Sequence, residues 1–223
     1  MSRADKAILF DLDGTLLDTI GDLAAAVNAS LSKNGFPERT VAEVKSFIGN
    51  GSLVLMSRAA GVPADGAQCA LLRRDFISAY RASLCVFTKP YPGMPELVGR
   101  LHSAGVKLAV VSNKDDDCVK KLISSFFGEC FDAARGTLSQ SERKPDPSVT
   151  LGVISSLGTE PRRCAFVGDG RADAAVSKNA GVPFIPVGYG YTDPEALLAL
   201  SGVSPARDVN ALSKALEVFL NGI

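Results

Sequence analysis

Surplus charge is missing from this chain. Among its 223 residues 24 Lys and Arg balance 24 Asp and Glu, and the pI lies near 6.6. Without a field of one sign, nothing suggests a nucleic-acid surface, and a small anionic ligand has to be held by local groups. Histidine is almost absent, with His102 alone, and the cysteines at 69, 85, 118, 130 and 164 form no CxxC pair. The usual zinc signatures are thereby excluded. Their odd number and scatter favour reduced, partly buried thiols over a disulfide framework. No apolar run reaches membrane-spanning length, and the opening residues Met1 to Lys6 carry no apolar signal-peptide core. The expectation is a cytoplasmic protein without a membrane partner. Internal repeats and low-complexity tracts are lacking too.

What is present is an ordinary globular composition, 46% hydrophobic and 22% charged, long enough for one full core and a smaller second module. Short apolar runs stop abruptly at polar residues. Ala7-Ile8-Leu9-Phe10 ends at Asp11-Leu12-Asp13-Gly14-Thr15, Val106 to Val111 at Ser112-Asn113-Lys114, Cys164 to Val167 at Gly168-Asp169, and Phe184 to Val187 at Gly188. Strands buried on both faces of a parallel sheet read this way. Helical patterns over 94–104, 115–126, 147–157, 171–180 and 208–220 lie between or after them. Alternating strands and helices predict an α/β fold with a Rossmann-like parallel sheet.

Between about Thr19 and Cys85 the pattern changes. Stretches over 22–33, 40–47, 52–60 and 65–84 have helical periodicity and no strand interrupts them, while Pro90, Pro92 and Gly93 mark the return to the α/β part. The division expected is a core of residues 1–18 and 86–223 with a mostly helical insert at 19–85.

In an open parallel sheet ligands bind beyond the carboxyl ends of the strands near a topological switch point. That places Asp11, Asp13, Thr15, Ser112, Asn113, Asp169 and Asp173, with Lys144 from a loop, as candidates for one cleft. Crowded carboxylates raise one another's pKa unless a cation neutralises them. An all-oxygen set without His or Cys favours a hard ion, and Mg²⁺ accepts a few carboxylates, water and a phosphate oxygen. Lys144 suits phosphoryl oxygens as a point charge, and Ser112, Thr15 and backbone N–H groups can donate to them. A carboxylate can attack phosphorus, and a second acid two residues on can protonate the leaving group.

These motifs resemble the haloacid-dehalogenase-like superfamily, phosphatase branch: DLDGTLLDT from Asp11 to Thr19, VVSN ending at Asn113, Lys144 within RKPDP, and VGDGRAD from Val167 to Asp173. The resemblance covers essentially the whole chain. It implies that Asp11 is nucleophile and Asp13 acid and base, and that Ser112 and Lys144 bind phosphate. It also implies that Asp11, the carbonyl of Asp13, and Asp169 hold Mg²⁺ with Asp173 close behind, and that the helical insert is a cap over the substrate. One departure is Gly170, where the family often has Ser or Thr.

Asp13 sets the chain apart, by resemblance, from the dehalogenase, ion-pump and phosphonate-cleaving branches. A sugar-phosphate mutase keeps both acids but resembles a chain with a histidine just after DT, which is absent here. Phe47-Ile48-Gly49-Asn50-Gly51, Arg58 and the SNK tripeptide at 112–114 look most like phosphoglycolate phosphatases. The expected substrate is thus a small phosphorylated metabolite, 2-phosphoglycolate among them, handled by a monomer or homodimer. Arg58 is a candidate for a second anionic group of the substrate. Plainer readings stand beside these. Asp13 or Thr15 can cap a helix, Asp173 can serve a helix dipole, and Lys144 can be a solvated loop residue with Lys114 as its rival. Gly49-Asn50-Gly51 can be a helix C-cap turn, and Arg58 a surface salt bridge. A non-catalytic binding or regulatory protein on this fold is the alternative from another class.

Overall fold

A computed structural model of the chain describes residues 6–222. Met1 to Asp5, part of the segment read above for a signal sequence, lie outside the described residues, as does Ile223. The chain divides into two compact units, Met1–Leu17 with Pro90–Ile223, and Asp18–Lys89.

In the first unit β1 (Ala7–Phe10) opens the sheet. The chain leaves through β2 (Leu17–Asp18) and returns through β3 (Lys89–Pro90), two short strands that pair with each other. The sheet continues with β4 (Lys107–Asp115), β5 (Ala133–Thr137), β6 (Cys164–Gly168) and β7 (Phe184–Pro186). Its order is β5-β4-β1-β6-β7, all parallel. Strand order reverses on either side of β1, so the switch point lies at β1 between β4 and β6. The register pairs Phe10 with Val110 and Val167. Residues just beyond, Asp11, Ser112 and Asp169, therefore emerge at one end of the sheet.

The central strands are apolar on both faces because helices cover both. Leu9, Ala109, Val111 and Phe166 pack in one buried cluster with Val153 and Ile154 of α7 (Ser148–Ser156) and Val176 and Ala180 of α8 (Arg171–Ala180). Helix α5 (Met94–Ser103), α6 (Asp116–Phe127) and α10 (Val209–Gly222) form another packed group through α5, and α5 and α6 meet β4. Phe10 and Phe166 are fully buried, each worth about 1.5–3 kcal/mol of apolar burial. Lys6 anchors the start of β1, its Nζ donating to the carbonyl of Leu220 at 2.8 Å, a cation on the C-terminal end of a helix.

Three features depart from the sequence expectation. β4 runs past Val111 to Asp115, with a register shift between those two residues. β5 (AARGT) has no apolar run because it is an edge strand with Arg135 exposed. Helix α9 (Pro194–Ser201) is an additional helix, begun by Asp193, whose carboxylate accepts from the amide of Ala196 at 3.0 Å.

The second unit holds α1 (Ile20–Lys33), α2 (Val41–Phe47), α3 (Gly51–Ala60) and α4 (Ala67–Ala82). A capping box between Thr40 and Glu43 starts α2. Asp22, fully buried on α1, accepts from the backbone amides of Phe87 and Thr88, each at 2.9 Å. That tie puts residues 86–89 with the helices. Among the described residues no helix is long and apolar enough to cross a membrane.

Candidate active site

Asp11 follows directly on β1, its amide bonded to the carbonyl of Val167 at 2.9 Å. Asp169 follows β6 and Asp173 lies in the first turn of α8. All three are buried, and one carboxylate oxygen from each lies within 4.8 Å of the others. Lys144 enters from the segment before α7. Its Nζ donates to Asp11 at 2.7 Å, to Asp173 at 2.6 Å and to the carbonyl of Val111 at 3.0 Å, and it stands over the ring of Phe166.

The electrostatics follow from burial. Desolvation pushes Asp11 up to about 7; Lys144 opposes this, and Asp173 and Asp13 add to it. Asp169 is also held well above the carboxylate range, by burial and then by Asp173 and Asp11. For Lys144 burial works against the ammonium, but Asp11 and Asp173 reverse it and hold the pKa above an ordinary lysine's. One ammonium among three buried carboxylates leaves negative charge uncompensated, which calls for a cation. The donors are all oxygen, so Asp11, Asp169 and Asp173 fit a hard divalent ion such as Mg²⁺.

Several of the other expected residues act on this cluster. Asn113 holds Lys144 by its backbone: Asn113 Nδ2 donates to the Lys144 carbonyl at 3.1 Å and Asn113 Oδ1 accepts the Lys144 amide at 2.7 Å. The hydroxyl of Thr15 donates to Asp169 Oδ1 at 3.3 Å. Ser112 is buried, and its Oγ accepts the Lys114 amide at 3.3 Å, leaving its hydrogen for another acceptor. The carboxylate of Asp13 is paired with Lys114 at 2.9 Å, apart from the three-acid group. Gly170 caps α8 and donates its N–H to Asp173 Oδ2 at 2.9 Å. Arg58 is exposed on α3 in the helical unit, where it donates to the carbonyl of Phe47 at 3.2 Å. Gly51 begins α3 and Asn50 is its N-cap, so the glycine loop opens a helix.

The profile of the haloacid dehalogenase-like hydrolases matches residues 8–187, from β1 to just past β7. The chain belongs to that family. Like it is a phosphoglycolate phosphatase of Caulobacter vibrioides, 35% identical over 190 residues, covering 83% of this chain and 80% of that protein. An N-acetylmuramic acid 6-phosphate phosphatase of Pseudomonas aeruginosa is 32% identical and covers 95% of this chain and 96% of its own. A predicted phosphoglycolate phosphatase of Haemophilus somnus has the same fold, with TM-score 0.81 and 28% identity over 96% of this chain and 98% of its own.

In this member of the haloacid dehalogenase-like hydrolases a loop not singled out in the sequence completes the surroundings of Asp169. After β7, Tyr191 donates its amide to Asp169 Oδ2 at 2.6 Å, and Tyr189 donates its hydroxyl to the Thr15 carbonyl at 3.2 Å. A Cβ on Gly190 would stand 2.4 Å from Asp169, and so would one on Gly14, which also has φ of 83°. The repeated Gly-Tyr at 188–191 after a strand was the available signal.

Proposed function

We propose that this chain hydrolyses phosphate monoesters of small organic acids, with 2-phosphoglycolate the first candidate, through a phosphoryl group carried on Asp11. The supporting observation is Lys144 between Asp11 and Asp173 at 2.7 and 2.6 Å, with Asp169 alongside. This is an arrangement of charge suited to a transferring phosphoryl group. The curated relatives named above act, by their names, on phosphate esters of carboxylic acids.

In this reading Asp11 attacks phosphorus, an Asp11 O–P bond forms and the ester P–O bond breaks. Asp13 gives its proton to the departing oxygen. Asp13 then takes a proton from water, whose oxygen attacks phosphorus and releases inorganic phosphate with Asp11 restored. Lys144 and the hydroxyl of Ser112 bind non-bridging oxygens, while Asn113 keeps Lys144 in place. Asp11, the carbonyl of Asp13, Asp169 and Asp173 would hold Mg²⁺, which when bound would offset charge on the transferring group. The Thr15 hydroxyl and the Tyr191 amide orient Asp169. The helical unit serves as the cap, with Arg58 available to substrate, and closure of such a cap excludes water from the first step.

Asp11→Asn keeps the shape and removes the nucleophile. Phosphate release from 2-phosphoglycolate with Mg²⁺ should fall on the order of 10⁴-fold or more. Release near the wild-type rate would remove Asp11 from this role. Measuring inorganic phosphate also separates hydrolysis from mutase chemistry, which releases none.

A further inference from the structure

Lys114 is a second ammonium at the site, and the mechanism above gives it no task. Its side chain is 6% exposed and its Nζ lies 2.9 Å from Asp13 Oδ2. The backbone that carries it is fixed. β4 shifts register between Val111 and Asp115, a device that re-aims side chains beside active sites. The Lys114 carbonyl accepts the Thr137 hydroxyl at 3.4 Å, and its amide donates to Ser112 Oγ. β5 comes so close that a Cβ on Gly136 would stand 2.4 Å from the Lys114 carbonyl oxygen. Ordering and desolvating a lysine is costly, so a built setting for one points to a use.

We propose that Lys114 binds a carboxylate carried by the substrate on the carbon next to the leaving oxygen. The inference rests on the hydrolytic reading and narrows its substrate class to phosphate esters of 2-hydroxy acids. As the acid for the leaving oxygen, Asp13 stands one hydrogen bond from it, and Lys114 stands one hydrogen bond beyond Asp13. In such an ester the leaving oxygen and the carboxylate share a carbon, so their oxygens lie about as far apart as hydrogen-bonded atoms do. When the first reaches Asp13, the second is brought within reach of Lys114. An ester whose carboxylate is missing has nothing for Lys114 to bind, and one with it a carbon farther on has to fold back, at a cost in chain freedom, to place both at once. The charge balance agrees: with Asp13 protonated as the acid, Lys144, Lys114 and one divalent ion carry four positive charges against the carboxylates of Asp11, Asp169 and Asp173, so an anionic substrate meets a site with one net positive charge and not a repelling one.

The test compares 2-phosphoglycolate with 2-hydroxyethyl phosphate, its neutral analogue of similar size, and with 3-phosphonooxypropanoate. The ratio of kcat/KM for 2-phosphoglycolate over 2-hydroxyethyl phosphate should fall about 100-fold in Lys114→Met. The fall should lie mainly in KM, and Lys114→Arg should regain part of it. Wild-type enzyme should prefer 2-phosphoglycolate to 3-phosphonooxypropanoate, and Lys114→Met should lose that preference. If Lys114→Met slows all three esters equally, the lysine only positions Asp13 or holds the phosphoryl group, and the inference fails while the hydrolytic reading stands. If wild-type enzyme with Mg²⁺ releases phosphate from none of them, the hydrolytic reading fails and takes the inference with it. Should Lys114→Met not fold by circular dichroism, Lys114→Gln supplies the same ratio.

Discussion

Around Asp11 burial sets the chemistry more than any single neighbour. In the metal-free protein it keeps its proton up to about pH 7, whereas its ordinary value is 3.8. Between those values the native state holds more protons than the unfolded chain, so stability falls as pH rises through the window. Asp169 shifts in the same direction. Lys144 is protonated in both states there, and carboxylates held low, such as Asp75 and Asp116, act only at lower pH. Metal-stripped protein should therefore melt at a higher temperature near pH 5 than near pH 8, and saturating Mg²⁺ should narrow the gap. Equal melting temperatures would mean that the acids are not crowded as described. Asn113→Ala removes both side-chain contacts to the Lys144 backbone. KM for phosphate esters should rise about 10-fold; an unchanged KM would make the clamp irrelevant to binding. The acids and Lys144 were legible in the sequence because each ends an apolar run or sits in a dense motif. The clamp role of Asn113 and the pairing of Lys114 with Asp13 were not, because side-chain partners across loops leave no periodicity.

At the level of elements, close approach is bought with glycine. Gly136 lets β5 lie against the backbone of Lys114 to Asp116, and its amide donates to Asp116 at 2.9 Å. Gly136→Ala should move the end of β4, weakening stability and discrimination between substrates together. A folded variant with wild-type kinetics would show that this contact does not set Lys114. In the helical unit, Asp22→Ala would leave the amides of Phe87 and Thr88 without their acceptor. The expected cost is about 2–3 kcal/mol, with hydrogen exchange accelerated at 87 and 88; unchanged protection would rule the tie out. The buried strands β1, β4 and β6 were readable as unbroken apolar runs. β5 was not, because an edge strand with one exposed face and a glycine at its end carries too little apolar signal. The helices of the insert were readable from periodicity, although their ends moved by up to two residues; at α2 the capping box of Thr40 and Glu43 decides the start locally.

For the molecule as a whole, a balanced formal charge leaves affinity for anions to one end of one sheet. Binding of a divalent ion there should stabilise the native state by mass action, about 2.7 kcal/mol at a hundredfold excess over Kd. That corresponds to roughly 5–10 °C in Tm for a chain of this size. A chelator should abolish both the shift and turnover, and absence of any shift would mean that Asp11, Asp169 and Asp173 hold no ion. The doorway between the units has a consequence of its own. The chain departs at Leu17–Asp18 and comes back at Lys89–Pro90, strands that lie side by side, and Tyr91 donates its amide to the Leu16 carbonyl at 3.2 Å. The two ends of the inserted segment are thus joined by backbone hydrogen bonds, so an insert of different length can begin and end at the same two strands. Under the cap role proposed above, a foreign helical insert grafted between those two strands should change which phosphate esters are accepted.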